Sequence, residues 1–207
     1  MLAWLSPAFP TGAFAYSHGL EWAIEAGDAR DEAALRAWLE DVLRHGAGRA
    51  DAILLRHAWR APDGAALDAI AQLAAALSPS RERRQETLDQ GDAFLRAAAP
   101  WGAPAFAGRV AYPVAVGAVA ARHGVPEEAA CAGFVHAFAA NLVSAAVRLV
   151  PLGQSAGLRV LAALEGVILG VADETRGLGL DEIGGACFRS DIAASRHETQ
   201  YTRLFRT

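Results

Sequence analysis

From Asp31 to Ala172 apolar side chains recur three and four residues apart, and nowhere in the chain do apolar and polar residues alternate strictly. Such a chain must bury helix faces against other helices, because it has no segments from which to build a sheet. The clearest stretch follows a capping Asp31, with Leu35, Trp38, Leu39, Val42 and Leu43 on one face. Expected helices are 13–26, closed by Gly27, and a run from Asp31 to about Ala61 that Gly46 and Gly48 can divide. They continue with Asp63 to near Leu77, Ser80 to about Ala99, Pro113 to Arg122, Pro126 to near Val150, and about Gln154 to Ala172. Alanine, the best helix former, supplies about a quarter of the residues. That bias is weak support, since all 19 basic residues are arginine and a GC-rich genome enriches both types whatever the fold. The expected architecture is all-α: one helical domain of about eight to ten helices over 1–187, with a C-terminal tail at 188–207.

Composition removes several classes of function. With 53% hydrophobic and 20% charged residues in a chain of 207, there is ample core for one domain, and disorder is excluded for most of the length. The net charge of −4 divides unevenly. Phe188 to Thr207 carries four arginines against Asp191 and Glu198, a local +2, which leaves −6 elsewhere. An acidic body offers no footprint for nucleic acid. Cys131 and Cys187 are too few for a disulfide framework and lie in no metal-ligand spacing, so a reducing, cytoplasmic compartment is expected. No positive charge precedes Arg30, so a secretory signal is not expected. His136, Asn141 and Arg148 interrupt the longest apolar run, and Val160 to Val171 is short for a bilayer. Both read as core helices, with no membrane partner.

Few residues suggest chemistry carried out by the chain alone. Gly153-Gln154-Ser155-Ala156-Gly157 matches the G-x-S-x-G turn of serine hydrolases, and Asp173, Asp181 or Asp191 followed by His197 would complete the order serine, acid, histidine. That turn needs a preceding strand in a sheet, whereas the residues ahead of Pro151 keep a helical period. A serine hydrolase using Ser155 is the alternative reading; a tight turn between helices is the favoured one. The six histidines show no spacing that places two imidazoles on one helix face, and His136 reads as a hydrogen-bonded core residue. A phosphate-loop lysine is impossible in a chain without lysine. No catalytic residue, cofactor or resident metal is expected.

In three strings composition alone stops explaining the residues, the first reading as a helix start with aromatic anchors or else as a partner-binding face. In Pro7-Ala8-Phe9-Pro10-Thr11-Gly12-Ala13-Phe14-Ala15-Tyr16-Ser17-His18-Gly19-Leu20-Glu21, a helix through this segment places Phe14, His18 and Trp22 on one face. In Arg148-Leu149-Val150-Pro151-Leu152-Gly153-Gln154, Arg148 and Gln154 sit in apolar company; they either bond carbonyls freed at the helix break or line a polar passage. In Ser190 to Arg206, His197, Tyr201, Leu204 and Phe205 share a helical face beside Arg196, Arg203 and Arg206. This last segment is either a frayed terminus or a partner-binding element.

Together the three strings resemble the urease accessory protein UreF family. Its proline-glycine-aromatic motif ending in Gly-Leu-Glu is similar to 7–21, its Arg-Leu-x-Pro-Leu-Gly-Gln motif to 148–154, and its terminal Arg-His-Glu-Thr-Gln-Tyr motif to 196–201. Departures are Ala15, where the family often has serine, and a middle from about Arg60 to Ala107 with no recognisable motif. The resemblance implies an all-helical, dimer-forming, non-enzymatic chaperone of urease maturation. It would bind UreD, also called UreH, and the GTPase UreG, and dock on apo-urease, with nickel and GTP handled by the partner complex. By residue match, Arg196, His197, Glu198, Tyr201 and Arg203 are candidates for the tail contact to UreD, and Pro10, Gly12, Tyr16 and Glu21 for family-specific structure or partner surface. Ala162, Gly166 and Gly170, four residues apart, are a candidate dimer face or an intrachain helix crossing.

Overall fold

Three helix starts are set by a side chain one residue ahead of the helix. In the computed structural model, which covers residues 1–207, Asp31 accepts from the Ala34 N–H at 2.9 Å, Asp63 from Ala66 at 2.9 Å and Ser80 from Arg83 at 3.1 Å. Each oxygen satisfies a backbone donor that the first turn leaves free. The chain forms ten α-helices, three short 3-10 turns and no strand. The α-helices are α1 (Leu20–Glu25), α2 (Glu32–His45), α3 (Ala47–Arg60), α4 (Gly64–Ala76), α5 (Arg81–Ala98), α6 (Tyr112–Arg122), α7 (Glu127–Leu149), α8 (Gly153–Ala163), α9 (Glu165–Glu174) and α10 (Phe188–His197).

The all-α expectation holds, with local corrections. The expected helix over 13–26 is instead a 3-10 turn at Ala13–Ala15, an irregular stretch, and only then α1. His18 and Gly19 both adopt positive φ, 62° and 77°, which no α-helix can contain. Phe14, His18 and Trp22 therefore do not form a helical stripe. The run from Asp31 divides at Gly46, into α2 and α3. The helix expected over 154–172 breaks at Leu164, where α8 ends and α9 begins. Ala162 and Gly166 face solvent, and nothing lies within 4 Å of a side chain placed at Gly166. Those small residues cross no helix of this chain.

α3 and α6 form the heart of the domain, with α7 and α9 closing one side and α5 the other. At Gly117 of α6 an added Cβ would sit 2.3 Å from the Leu55 carbonyl of α3, so only glycine permits this crossing. Arg56 of α3 is fully buried and bonds Glu127 and Glu128 of α7 together with the Ala172 carbonyl and Thr175 Oγ1 at the end of α9. One guanidinium thus ties three helices, and its burial is tolerated because its donors find acceptors. Two segments, Glu127–Leu149 and Gly153–Glu174, are long and apolar enough to cross a bilayer, yet 50% and 44% of their most apolar windows are buried within the domain. Packing inside the bundle takes up about half of that apolar surface.

Candidate functional site

The fold brings parts of all three strings to one place. α1 packs on α10, and Gly19 makes the approach possible: a Cβ there would lie 2.7 Å from the Ala194 amide of α10. Glu21, buried on α1, accepts the Leu204 N–H at 2.7 Å and the Phe205 N–H at 3.0 Å, and faces His197 Nε2 at 3.1 Å. The other ring nitrogen of His197 lies 2.7 Å from Glu82 of α5. Arg203 donates to the second oxygen of Glu82 at 2.6 Å, and Glu198 accepts the Glu82 N–H at 3.1 Å at the start of α5. The chain beyond α10 then folds back. Ser17 N–H donates to the Thr207 carbonyl at 3.1 Å, and the Arg206 N–H to the Ala15 carbonyl at 2.9 Å.

Arg148, near the end of α7, joins the second string to the other two. Its Nη1 donates to the Phe14 carbonyl at 2.8 Å, and its guanidinium stands 3.7 Å from the Phe14 ring centre and 4.4 Å from that of Phe205. A cation between two rings binds both faces. The Arg148 Nε donates to Ser144 O at 3.1 Å within α7, so the carbonyls it meets are not those of the break at Pro151 but one in its own helix and one in the first string. Gln154 is exposed in the first turn of α8, against the expectation of an apolar setting.

The remaining sequence-singled residues divide by direction. His197, Glu21 and Tyr16 point inward, with the Tyr16 hydroxyl donating to Asp89 at 3.0 Å, whereas Glu198 is half-buried and Arg203 is exposed with its Nη1 reaching Glu82. Burial and the neighbouring Asp89 carboxylate push the Tyr16 phenol above its ordinary pKa. Arg196 and Tyr201 point outward, and Tyr201 makes no hydrogen bond. Arg196 lines a shallow surface depression with Phe188 and Ile192, and these two, like Leu204, are more than half exposed. The helical face expected for His197, Tyr201, Leu204 and Phe205 does not exist, because α10 ends at His197 and Phe205 alone of the last three is buried. Pro10 and Gly12 are exposed, and Gly12 has φ +78°. His136 is exposed, not in the core. Ser155 lies in the first helical turn of α8 with no strand before it, so the hydrolase turn is absent.

Nothing in the sequence singles out Glu82, Arg83 or Glu86, which with Ser17 and His18 of the first string complete the buried polar cluster. The acidic positions 82, 86 and 89 recur at helical spacing on α5, a signal of one polar stripe, but nothing local shows that the stripe faces inward. Glu86 accepts from Thr207 Oγ1 at 2.6 Å and pairs with Arg83. Burial opposes its charge, but Arg83 and His18 outweigh it and hold the carboxyl down to about 2. Burial, aided by Arg83, lowers His18 to about 4.

A model of the UreF family matches residues 29–165. Two relatives, both named urease accessory protein UreF, align with the entire chain. One from Rhodopseudomonas palustris strain TIE-1 is 53% identical over 218 positions with 91% of its length covered, and one from Bradyrhizobium sp. strain ORS 278 is 54% identical with 90% covered. The chain belongs to the UreF family. A third UreF relative, from Methylobacterium sp. strain 4-46, is 53% identical with 87% of its length covered. The family model spans the Arg148 string but stops short of the other two, whereas the full-length UreF relatives align across all three.

Proposed function

We propose that this UreF protein is a non-catalytic scaffold that holds UreD/UreH and the GTPase UreG on apo-urease while nickel is inserted. The observation that carries the reading is the two-sided terminal region. Its inner side, His197, Glu198 and Arg203, is anchored to α1 and α5, while its outer side leaves Arg196, Tyr201, Phe188, Ile192 and Leu204 in solvent. Exposed aromatic, aliphatic and arginine side chains on a rigid support are what partner interfaces draw on. UreD meets this surface, and Pro10 and Gly12 of the first string extend it or shape it. UreG supplies the nucleotide chemistry and its hydrolysis is modulated within the complex; this chain contributes no cofactor of its own. The protein works in the cytoplasm, where buried Cys131 and Cys187 stay reduced.

A homodimer uses the solvent-facing small-residue side of α8 and α9, where Leu158 and Leu169 are 67% and 61% exposed around Ala162 and Gly166. The test is co-purification of UreD and UreG with the full chain, followed by GTP hydrolysis with and without it. Recovery of both partners and an altered hydrolysis rate are expected. Failure to retain either partner rejects the scaffold.

A further inference from the structure

Residues 4–14 roof a cavity of about 400 Å3, within the size range of small-ligand sites. Phe9, Tyr112, Phe134 and Phe138 supply aromatic walls, and α3 and α5 supply a charged floor. Most of that floor is already committed. Glu86 takes Thr207 Oγ1, Gln90 Nε2 and the ion pair with Arg83. Asp51 of α3 is different, for it forms no hydrogen bond and no ion pair although its neighbours on α5 are charged. It also borders a second cavity of about 130 Å3, reached past His18, Arg83 and Asp191, so it stands on the wall between two spaces. Asp51 is half-buried, and a carboxyl set in a cavity wall without a donor invites a ligand to supply one.

We propose that the larger cavity binds an organic cation, an amidinium, guanidinium or alkylammonium group, with Asp51 as its counter-ion and the aromatic rings as its walls. Cation–π attraction and a desolvated ion pair act together in such a setting. An anion is disfavoured because Arg83, the one cation on the floor, is spent on Glu86. A bare metal ion needs several converging ligands, and no group of three His, Cys, Asp or Glu side chains is placed to hold one.

The proposal carries a pH signature. Burial, with a smaller contribution from Glu86 and opposed by Arg83, raises the Asp51 carboxyl to about 7. The other ionisable groups around it are His18 from the segment before α1, Arg83 and Glu86 on α5, Tyr112 on α6, His136 on α7 and Asp191 on α10. A carboxyl with that pKa is mostly ionised at about pH 8 and only about a tenth ionised at about pH 6, so cation affinity falls roughly tenfold between them.

The experiment titrates benzamidinium into the full chain by calorimetry at both pH values, with neutral benzamide of the same shape as control. Saturable binding at the higher pH, about tenfold weaker at the lower, is expected, with benzamide much weaker throughout. Asp51→Asn abolishes benzamidinium binding while circular dichroism and thermal unfolding show an intact fold. Asp191→Asn preserves both affinity and its pH dependence. Ala137→Phe, which narrows the cavity with Asp51 in place, also blocks binding. No saturation at the higher pH, equal affinity for benzamide, or unaltered binding by Asp51→Asn would overturn the proposal.

Discussion

Glu21 joins the two parts of the terminal region through one carboxylate. It holds two backbone N–H groups and one imidazole nitrogen, all buried or partly buried. Glu21→Ala leaves those donors without acceptors and should cost about 3–5 kcal/mol, the range for breaking a buried charged pair. Urea unfolding of the variant measures this; a loss below about 1 kcal/mol would show that the carboxylate is dispensable. Asp51 acts in the opposite sense. Its folded pKa of about 7 lies above the ordinary 3.8, so the folded chain holds that proton more tightly and loses stability as pH rises from about 4 through 7. Asp51→Asn removes the penalty, and melting at about pH 8 should rise by roughly 2–4 °C per kcal/mol recovered, with little change below about pH 4. A larger gain at the acid end would contradict this sign. At this scale the sequence was legible for caps and opaque for partners. Asp31, Asp63 and Ser80 announce themselves because their bond is to a residue three places on. Arg56 and Glu86 do not, since their partners lie far along the chain.

Element boundaries follow the same division. The apolar spacing of α2 and the proline before α7 mark those helices from local signals alone. α1 is shorter than its composition suggests, because two consecutive positive-φ residues interrupt a segment whose spacing otherwise suits a helix. The turn lets α1 meet α10, and that meeting is a tertiary event. Leu164, between α8 and α9, carries no glycine or proline to signal its break. Gly19→Ala tests the α1–α10 approach. It adds strain at φ +77° and places a methyl 2.7 Å from a backbone amide, so a loss of about 2 kcal/mol or more is expected, with faster amide exchange in α10. Gly117→Ala should separate α3 from α6 and destabilise the whole domain comparably. Ordinary stability in either variant would mean that the backbones are not in such close contact.

The whole molecule is a helical body whose C-terminal segment is folded onto it, with α10 and the residues beyond locked against α1, α5 and α7 by Glu21, Glu82, Glu86 and Arg148. Recognition of the family was legible from three short strings, yet their convergence was not, because no string contains the contacts that unite it with the others. The proposed dimer belongs to this scale as well. Leu158→Asp combined with Leu169→Asp should convert a dimer to a monomer in light scattering without lowering the melting temperature, and a persistent dimer would move the interface elsewhere. The central claim is that the outward side of the locked terminus receives UreD. It is tested most directly by measuring UreD affinity for the full chain and for an Ile192→Asp, Tyr201→Ala variant whose thermal unfolding matches the parent. A loss of affinity of about a hundredfold, on the scale of removing two interface anchors, is the predicted result. Unchanged affinity in that correctly folded variant would contradict the account.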